Sequence, residues 1–244
     1  MCAKGYTRAI VILSHNDADH FDGIPYLVEK GLVSKVYTQL FLKHKEEIMK
    51  LLDDGRVTDH SVGERIKTVY SNIASLSKKV TLIDALTHCE IVPGVSIVGP
   101  TEDYALETIA KALDSTEGNT IGAETVINAA SVQISVDFMQ DKCLLCGDAS
   151  FEAIKRQIGN HSIIQLPHHG KPATANDIFD AKIGQNNTLY IVSDNTGNSN
   201  GGSQDLNTVG RRVQNTINGD IIYPSNTTAI GNKSIYPRTL GYTH

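Results

Sequence analysis

Apolar positions in this chain fall into short dense runs and into sets spaced three or four residues apart. The run Ala9-Ile10-Val11-Ile12-Leu13 and the segment 33–38 predict buried strands, and residues 23–30 between them predict a helix closed by Gly31 in the C-cap position. That is a βαβ beginning. In 41–79, charge-rich Lys43, Lys45, Glu46, Glu47 and Lys50 are followed by Gly55 and then by Val62, Ile66, Val69, Ile73 and Leu76. This spacing predicts two helices, with apolar faces that cover a sheet or cap a site. Short strands are expected over 80–83, 90–92 and 95–98, a helix over 103–113, and a polar loop over 114–122. Val132, Ile134 and Val136 alternate with Gln133, Ser135 and Asp137, the period-two mark of a strand with one wet face. Its partner is 142–147, through a turn at 139–142. Helices over 151–158, 175–183 and 206–217 alternate with strands ending at Leu166 and spanning 189–192, and 195–203, rich in Asn, Gly and Ser, reads as a flexible loop. Alternating strands and helices imply a layered α/β fold, and the antiparallel pair argues against a simple doubly wound sheet.

Composition narrows the class. A chain of 244 residues, 40% hydrophobic, can bury a full core as one α/β domain over 1–244. No stretch reaches about 18 apolar residues, and the run at 9–13 is too short for the core of a secretory signal. The expectation is a soluble, cytoplasmic chain with no membrane partner. A net charge of −5 does not advertise a nucleic-acid partner, although bound cations would offset that charge locally and leave such a substrate open. Cys143 and Cys146 form a C-x-x-C, but on a strand residues three apart point to opposite faces, so buried free thiols are expected rather than a zinc or redox pair.

The chemistry gathers at strand ends. Ser14-His15-Asn16-Asp17-Ala18-Asp19-His20 follows the first apolar run and packs two imidazoles and two carboxylates into six residues. Nitrogen and oxygen donors at a sheet edge can converge on divalent ions. Leu144-Leu145-Cys146-Gly147-Asp148 is a second apolar strand ending in a carboxylate, and Ile163-Ile164-Gln165-Leu166-Pro167-His168-His169-Gly170 is a third ending in paired imidazoles. A solvated turn with an N-capping Asp would account for the first cluster alone, and would leave the other two unexplained. His44, His60, His88 and His161 lack ligand-type neighbours at useful spacing, so packing roles are expected of them.

Three strands that each end in ligand-type residues resemble the metallo-β-lactamase superfamily, in which His-x-His-x-Asp-His, a later Asp and a last His hold two metal ions. Here the first motif reads His15-x-Asp17-x-Asp19-His20. With the Gly-Asp and Pro-His-His-Gly segments, the chain is most similar to the hydrolase domain of ComEC-type competence proteins and related phosphorylcholine esterases, where the second His is commonly Asp. The similarity spans about 10–193. It implies an αββα sandwich. It also implies that His15 and Asp17 bind one ion, Asp19 and His20 the other, and that Asp148 bridges them. One of His168 and His169 would complete the second ion, with its neighbour a supporting hydrogen-bond donor or a proton donor to the leaving group. Two Zn or Mn ions sharing a bridging hydroxide would attack a phosphoester or phosphodiester, with Asp19 orienting the nucleophile. Replacing imidazole by the Asp17 carboxylate hardens the site and suits Mn²⁺ as well as Zn²⁺.

The resemblance is altered in places. Asn128 and Ser131 match an Asn and a Ser of that branch; Asn128 either faces the site or closes a turn. Ser193 matches a further Ser, but the expected Gly-His-Pro after it is replaced by Gly201-Gly202-Ser203. The usual third His of the first ion has no counterpart, so the His15 site is expected to be the weaker. Lactone, thioester or carboxylic ester hydrolysis, or a metal-binding module without turnover, are the rival functions for a small-molecule ligand. Finally, the superfamily places several strands before the first motif, whereas 13 residues precede Ser14. One sheet is therefore expected to be short and to lack its usual N-terminal strands. The expected remedy is a preceding segment, a second copy or a partner chain that completes the sheet, unless the 41–79 helices cover the gap.

Overall fold

Two sheets of unequal width organise the chain, seen in a computed structural model that describes residues 7–52, 58–114, 120–121, 124–194 and 202–223. The smaller holds β1 (Ala9–Ile12), β2 (Val33–Thr38) and β3 (Thr81–Asp84), all parallel in the order β1-β2-β3. Parallel neighbours need a long crossover. The first is α1 (Ala18–Phe21) with α2 (Gly23–Glu29). The second is α3 (Lys45–Leu51), α4 (Asp59–Val69) and α5 (Ser71–Leu76), preceded by a 3-10 turn at Phe41–His44.

The period of two sorts each strand's side chains. Val11, Val36 and Leu82 turn to these helices and meet Ile24, Val28, Ile48, Val62 and Ile66 in the largest apolar cluster. Their neighbours Ile12, Tyr37 and Ile83 turn the other way and meet Ile97 and Val132 of the second sheet.

That second sheet has seven strands. β4 (Glu90–Val92), β5 (Val95–Gly99), β8 (Gln133–Phe138) and β9 (Asp141–Leu145) are antiparallel neighbours; β10 (Ile163–Gln165), β11 (Leu189–Val192) and β12 (Arg212–Asn215) extend it in parallel from β9. Between β5 and β8 run α6 (Glu102–Asp114), the small hairpin β6 (Thr120–Ile121) and β7 (Glu124–Thr125), and α7 (Val126–Ala129). On the face of the wide sheet away from the small one, α8 (Phe151–Ile158) and α10 (Pro172–Ala181) pack Ile154, Ile158, Ile178 and Phe179 against Leu144, Ile164, Tyr190 and Val192. A single turn, α9 (Pro167–Gly170), lies between β10 and α10. Cys143, Ile163 and Leu189 face the opposite way and are closed over by Tyr223, whose hydroxyl donates to Asp141 at 2.5 Å.

Several expectations meet this structure directly. The fold is mixed α/β with an antiparallel pair, β8 and β9, joined by the expected turn. Cys143 and Cys146 are buried free thiols in different apolar clusters. Burial pushes the Cys143 thiol up to about 11 and raises Cys146 further. The 41–79 stretch forms three helices rather than two, because the chain turns at Tyr70 between α4 and α5.

The helix expected over 206–217 is a correction. Gly210 takes φ +73°, and Arg212–Asn215 extend as β12, pairing with β11 from Leu189↔Arg212 to Val192↔Asn215. An open sheet edge satisfied this backbone better than helical bonds. Residues 195–201, in the expected flexible loop, and most of the 114–122 loop lie outside the described residues. Among the described residues no helix is long and apolar enough to cross a membrane.

Candidate metal centre

The three motifs meet because the small sheet ends against the middle of the wide one. Ser14 follows β1, and its carbonyl accepts from Val132 N–H at 2.8 Å just before β8 begins. Asp148 follows β9, the neighbour of β8. Gly147 allows the contact: it takes φ +55°, and a Cβ there would sit 2.7 Å from Ser14 Cβ. Only glycine combines this close approach with left-handed backbone at little cost. The third motif is tied on by His168 N–H, which donates to Gly147 C=O at 3.2 Å.

Asp17 is the N-cap residue of α1, yet its carboxylate makes no capping hydrogen bond and faces the cluster instead. Asn16 anchors the loop, donating from Nδ2 to Val69 C=O at 2.9 Å and to Asn72 Oδ1 at 3.0 Å. Buried His15 places Nε2 3.7 Å from Asp148 Oδ2 and 3.9 Å from Asp17 Oδ2. His20 places Nε2 3.5 Å from Asp148 Oδ1 and 3.6 Å from Asp19 Oδ2, and His169 Nε2 lies 3.1 Å from Asp19 Oδ2. The opposite ring nitrogens are occupied. Ser14 Oγ lies 3.1 Å from His15 Nδ1 and 3.3 Å from His20 Nδ1; Ser131 Oγ lies 3.2 Å from His15 Nδ1; His169 Nδ1–H donates to Ser193 C=O at 2.7 Å. Such partners fix the ring orientation and leave Nε2 facing the cluster.

The donor set fits a divalent cation. Nε2 of His15 and of His20 are buried without a hydrogen-bond partner, a costly state for a polar atom. Asp19, His20, Asp148 and His169 each offer one donor atom within 4.8 Å of the others, the set among the described residues that could hold an ion. Bonds of about 2.05 Å in a tetrahedron put donors about 3.3 Å apart, and the separations of 3.1–3.6 Å around His20 and His169 straddle that value. His15 reaches the set through Asp148, and Asp17 stands beside His15.

The electrostatics point the same way. Burial, then Asp19 and Asp148, raise the Asp17 carboxyl above its ordinary range. Burial and the neighbouring His20 push the His15 imidazole down to about 4, keeping it neutral and able to donate its lone pair. For Asp148, burial opposes ionisation but the imidazoles of His20 and His15 outweigh it and hold the carboxyl low. Three carboxylates crowded with neutral or partly charged imidazoles form a pocket of negative charge that a cation relieves.

The two histidines of the third motif part ways. His169 joins the four donors, whereas His168 Nδ1 lies 2.5 Å from Glu124 Oε2, and this bond raises the His168 pKa. Both residues have left-handed backbones, φ 48° and 55°, which cost a non-glycine residue about 1–2 kcal/mol each. The bonds to Glu124 and Ser193 hold them there. Glu124, buried and also 3.0 Å from Lys171 Nζ, escaped sequence reasoning because it lies 44 residues away in a segment without period. Asn128 is buried with its Oδ1 lacking a partner, while its N–H is capped by Thr125 Oγ1. Ser131, in addition to His15, accepts from Asp148 N–H at 3.3 Å.

The other histidines among the described residues lie outside the donor set, and one of them joins an unforeseen network. His161 sits between Ser135 Oγ and Gln157 C=O, His88 bonds Pro100 C=O, and His60 is exposed on α4. His44 joins Asp84 at 2.6 Å and Glu102 at 3.3 Å. No protein-family model and no curated protein matches the chain.

Proposed function

We propose that this chain is a metal-dependent hydrolase with the αββα arrangement of the metallo-β-lactamase superfamily, acting on a phosphodiester or phosphomonoester. The observation that carries the reading is the pair of buried, unpartnered Nε2 atoms of His15 and His20 facing Asp148 from another sheet. Asp19, His20, Asp148 and His169 would hold the primary ion, and His15 and Asp17 beside them would hold a second, weaker one. Zn²⁺ and Mn²⁺ both suit a mixed imidazole and carboxylate set. When bound, such ions supply Lewis acidity towards a phosphoryl oxygen and bring the pKa of water towards neutrality.

The protein's own groups divide the remaining work. Asp19, with its side chain 57% exposed, forms the open side of the cluster, where it orients the attacking water and receives its proton. His168, whose Nδ1–H is held by Glu124 and whose pKa that bond raises, is the proton donor to the leaving oxygen through its Nε2–H. Ser14, Ser131 and Ser193 keep the imidazole planes fixed.

The test joins metal binding to turnover. Calorimetric titration with Mn²⁺ and Zn²⁺ is expected to give two separable affinities, and bis(p-nitrophenyl) phosphate or p-nitrophenyl phosphate is expected to be cleaved only with metal present. Asp148→Ala is expected to lose both properties. Full metal retention in that variant overturns the centre; metal uptake with no turnover on phosphoester, lactone or thioester substrates overturns the hydrolase and leaves a binding module.

A further inference from the structure

A cavity away from the metal donors takes no part in that chemistry. It has a volume of about 740 Å³ and lies between α4 and α5 and the strands β2 and β3, within the range of small-molecule sites, about 300–1,000 Å³. Its floor is apolar: Phe41, Ile66, Ile73 and Leu82 line it. Its charged lining residues are Arg8, Lys43, Lys67 and Lys79, with no Asp or Glu among the described residues that line it. Lys67 is partly neutralised by Glu64 at 2.8 Å, which leaves an excess of positive charge over a greasy groove. Arg8 and Lys79 precede β1 and β3, and Lys43 follows β2. Because these strands are parallel, the cations stand at both ends of the sheet and the apolar floor runs between them. Tyr70 also lines the groove, more than nine-tenths buried, with a hydroxyl that lacks a hydrogen-bond partner.

From this lining we infer that the groove is a binding site for a single-chain amphipathic anion, an acyl or alkyl tail carrying a carboxylate or phosphate head. The tail buries apolar surface against the accessible lining residues Leu40, Leu42, Val80 and Leu82. The head meets the cations at one end, and a neutral or cationic amphiphile forfeits that attraction. Carboxylate and phosphate heads share this chemistry, and their relative affinity identifies the source.

Isothermal titration with decanoate, dodecanoate, dodecyl phosphate, dodecanol and dodecyltrimethylammonium, all below their micelle concentrations, tests the site. One anion per chain is expected, tightening about fourfold per added methylene, with the cation not binding. Ala74→Trp places a bulky ring at an exposed lining position and is expected to abolish binding while far-UV circular dichroism and Mn²⁺ titration remain those of the parent. Lys43→Glu with Lys79→Glu is expected to weaken all three anions about tenfold or more and to leave dodecanol unchanged. Three outcomes overturn the inference: none of the anions binds, the cationic amphiphile binds as well as dodecanoate, or the folded Ala74→Trp protein retains binding. A chain that ignores the probes and sediments as a dimer dispersed by Ala74→Trp places a second copy there and overturns it too.

Discussion

Replacing Gly147 by alanine tests the joint on which the whole centre depends. The new Cβ would lie 2.7 Å from Ser14 Cβ, 3.1 Å from Ser14 Oγ and 3.2 Å from Ser131 Cβ, where carbon pairs rest at about 3.5–4.0 Å. Ser14 must retreat by about 0.8 Å. The φ of +55° adds about 1–2 kcal/mol for a residue with a side chain, and overpacking adds about 1–3 kcal/mol. The expected loss of stability is therefore about 2–5 kcal/mol in the metal-free protein, read by urea unfolding with circular dichroism. Ser14 Oγ also sits beside Nδ1 of both His15 and His20, so Mn²⁺ affinity is expected to fall with stability. The control is Ser14→Gly in the Gly147→Ala background. It removes the two closest clashing atoms but neither Ser131 Cβ nor the backbone strain, so most of the overpacking part alone should return. A coupling energy under about 0.5 kcal/mol between the two positions, as for independent sites, refutes the close-approach argument.

Three further outcomes follow from the packing. Glu124→Ala leaves His168 and Lys171 without their buried carboxylate and is expected to cost about 1.5–3 kcal/mol in urea unfolding, as for hydrogen bonds to charged groups; a neutral effect would show that the contact holds nothing. Burial lowers the His161 pKa, with the Gln157 carbonyl opposing, so the unfolded chain takes up this proton first as pH falls below about 6.5. Stability from this group is present above that pH and lost on acidification through it, and the wild-type loss between pH 7.5 and 5.5 should exceed that of His161→Gln; identical losses would refute it. Buried Cys143 and Cys146, with raised thiol pKa values, are expected to react with an aromatic disulfide reagent only on unfolding, and rapid labelling of the native protein at either position would contradict their placement.

Local pattern determined most of the elements. The apolar positions of β2, the alternation in β8 and the amphipathic period of α8 give the same bounds, within a residue or two, in sequence and structure, because local spacing marks the faces each must bury whatever its partners. The residues of the candidate centre stood out for a related reason: donor-type side chains at strand ends have few packing roles to hide behind, which marked His15, Asp17, Asp19, His20, Asp148 and His169, together with His168, which turns to Glu124 instead.

What local pattern could not supply is distance. That His169 reaches Asp19, 150 residues away, while adjacent His168 turns to Glu124, depends on two left-handed residues and on β10 lying beside β9. The strand Arg212–Asn215 replaced an expected helix because β11 offered an edge to pair with, and an edge exists only after the sheet has formed. Sequence determined which groups carry chemistry and which faces are apolar; the tertiary structure alone decided which groups meet, since contacts across the two sheets are set by strand order and close approach rather than by any period along the chain.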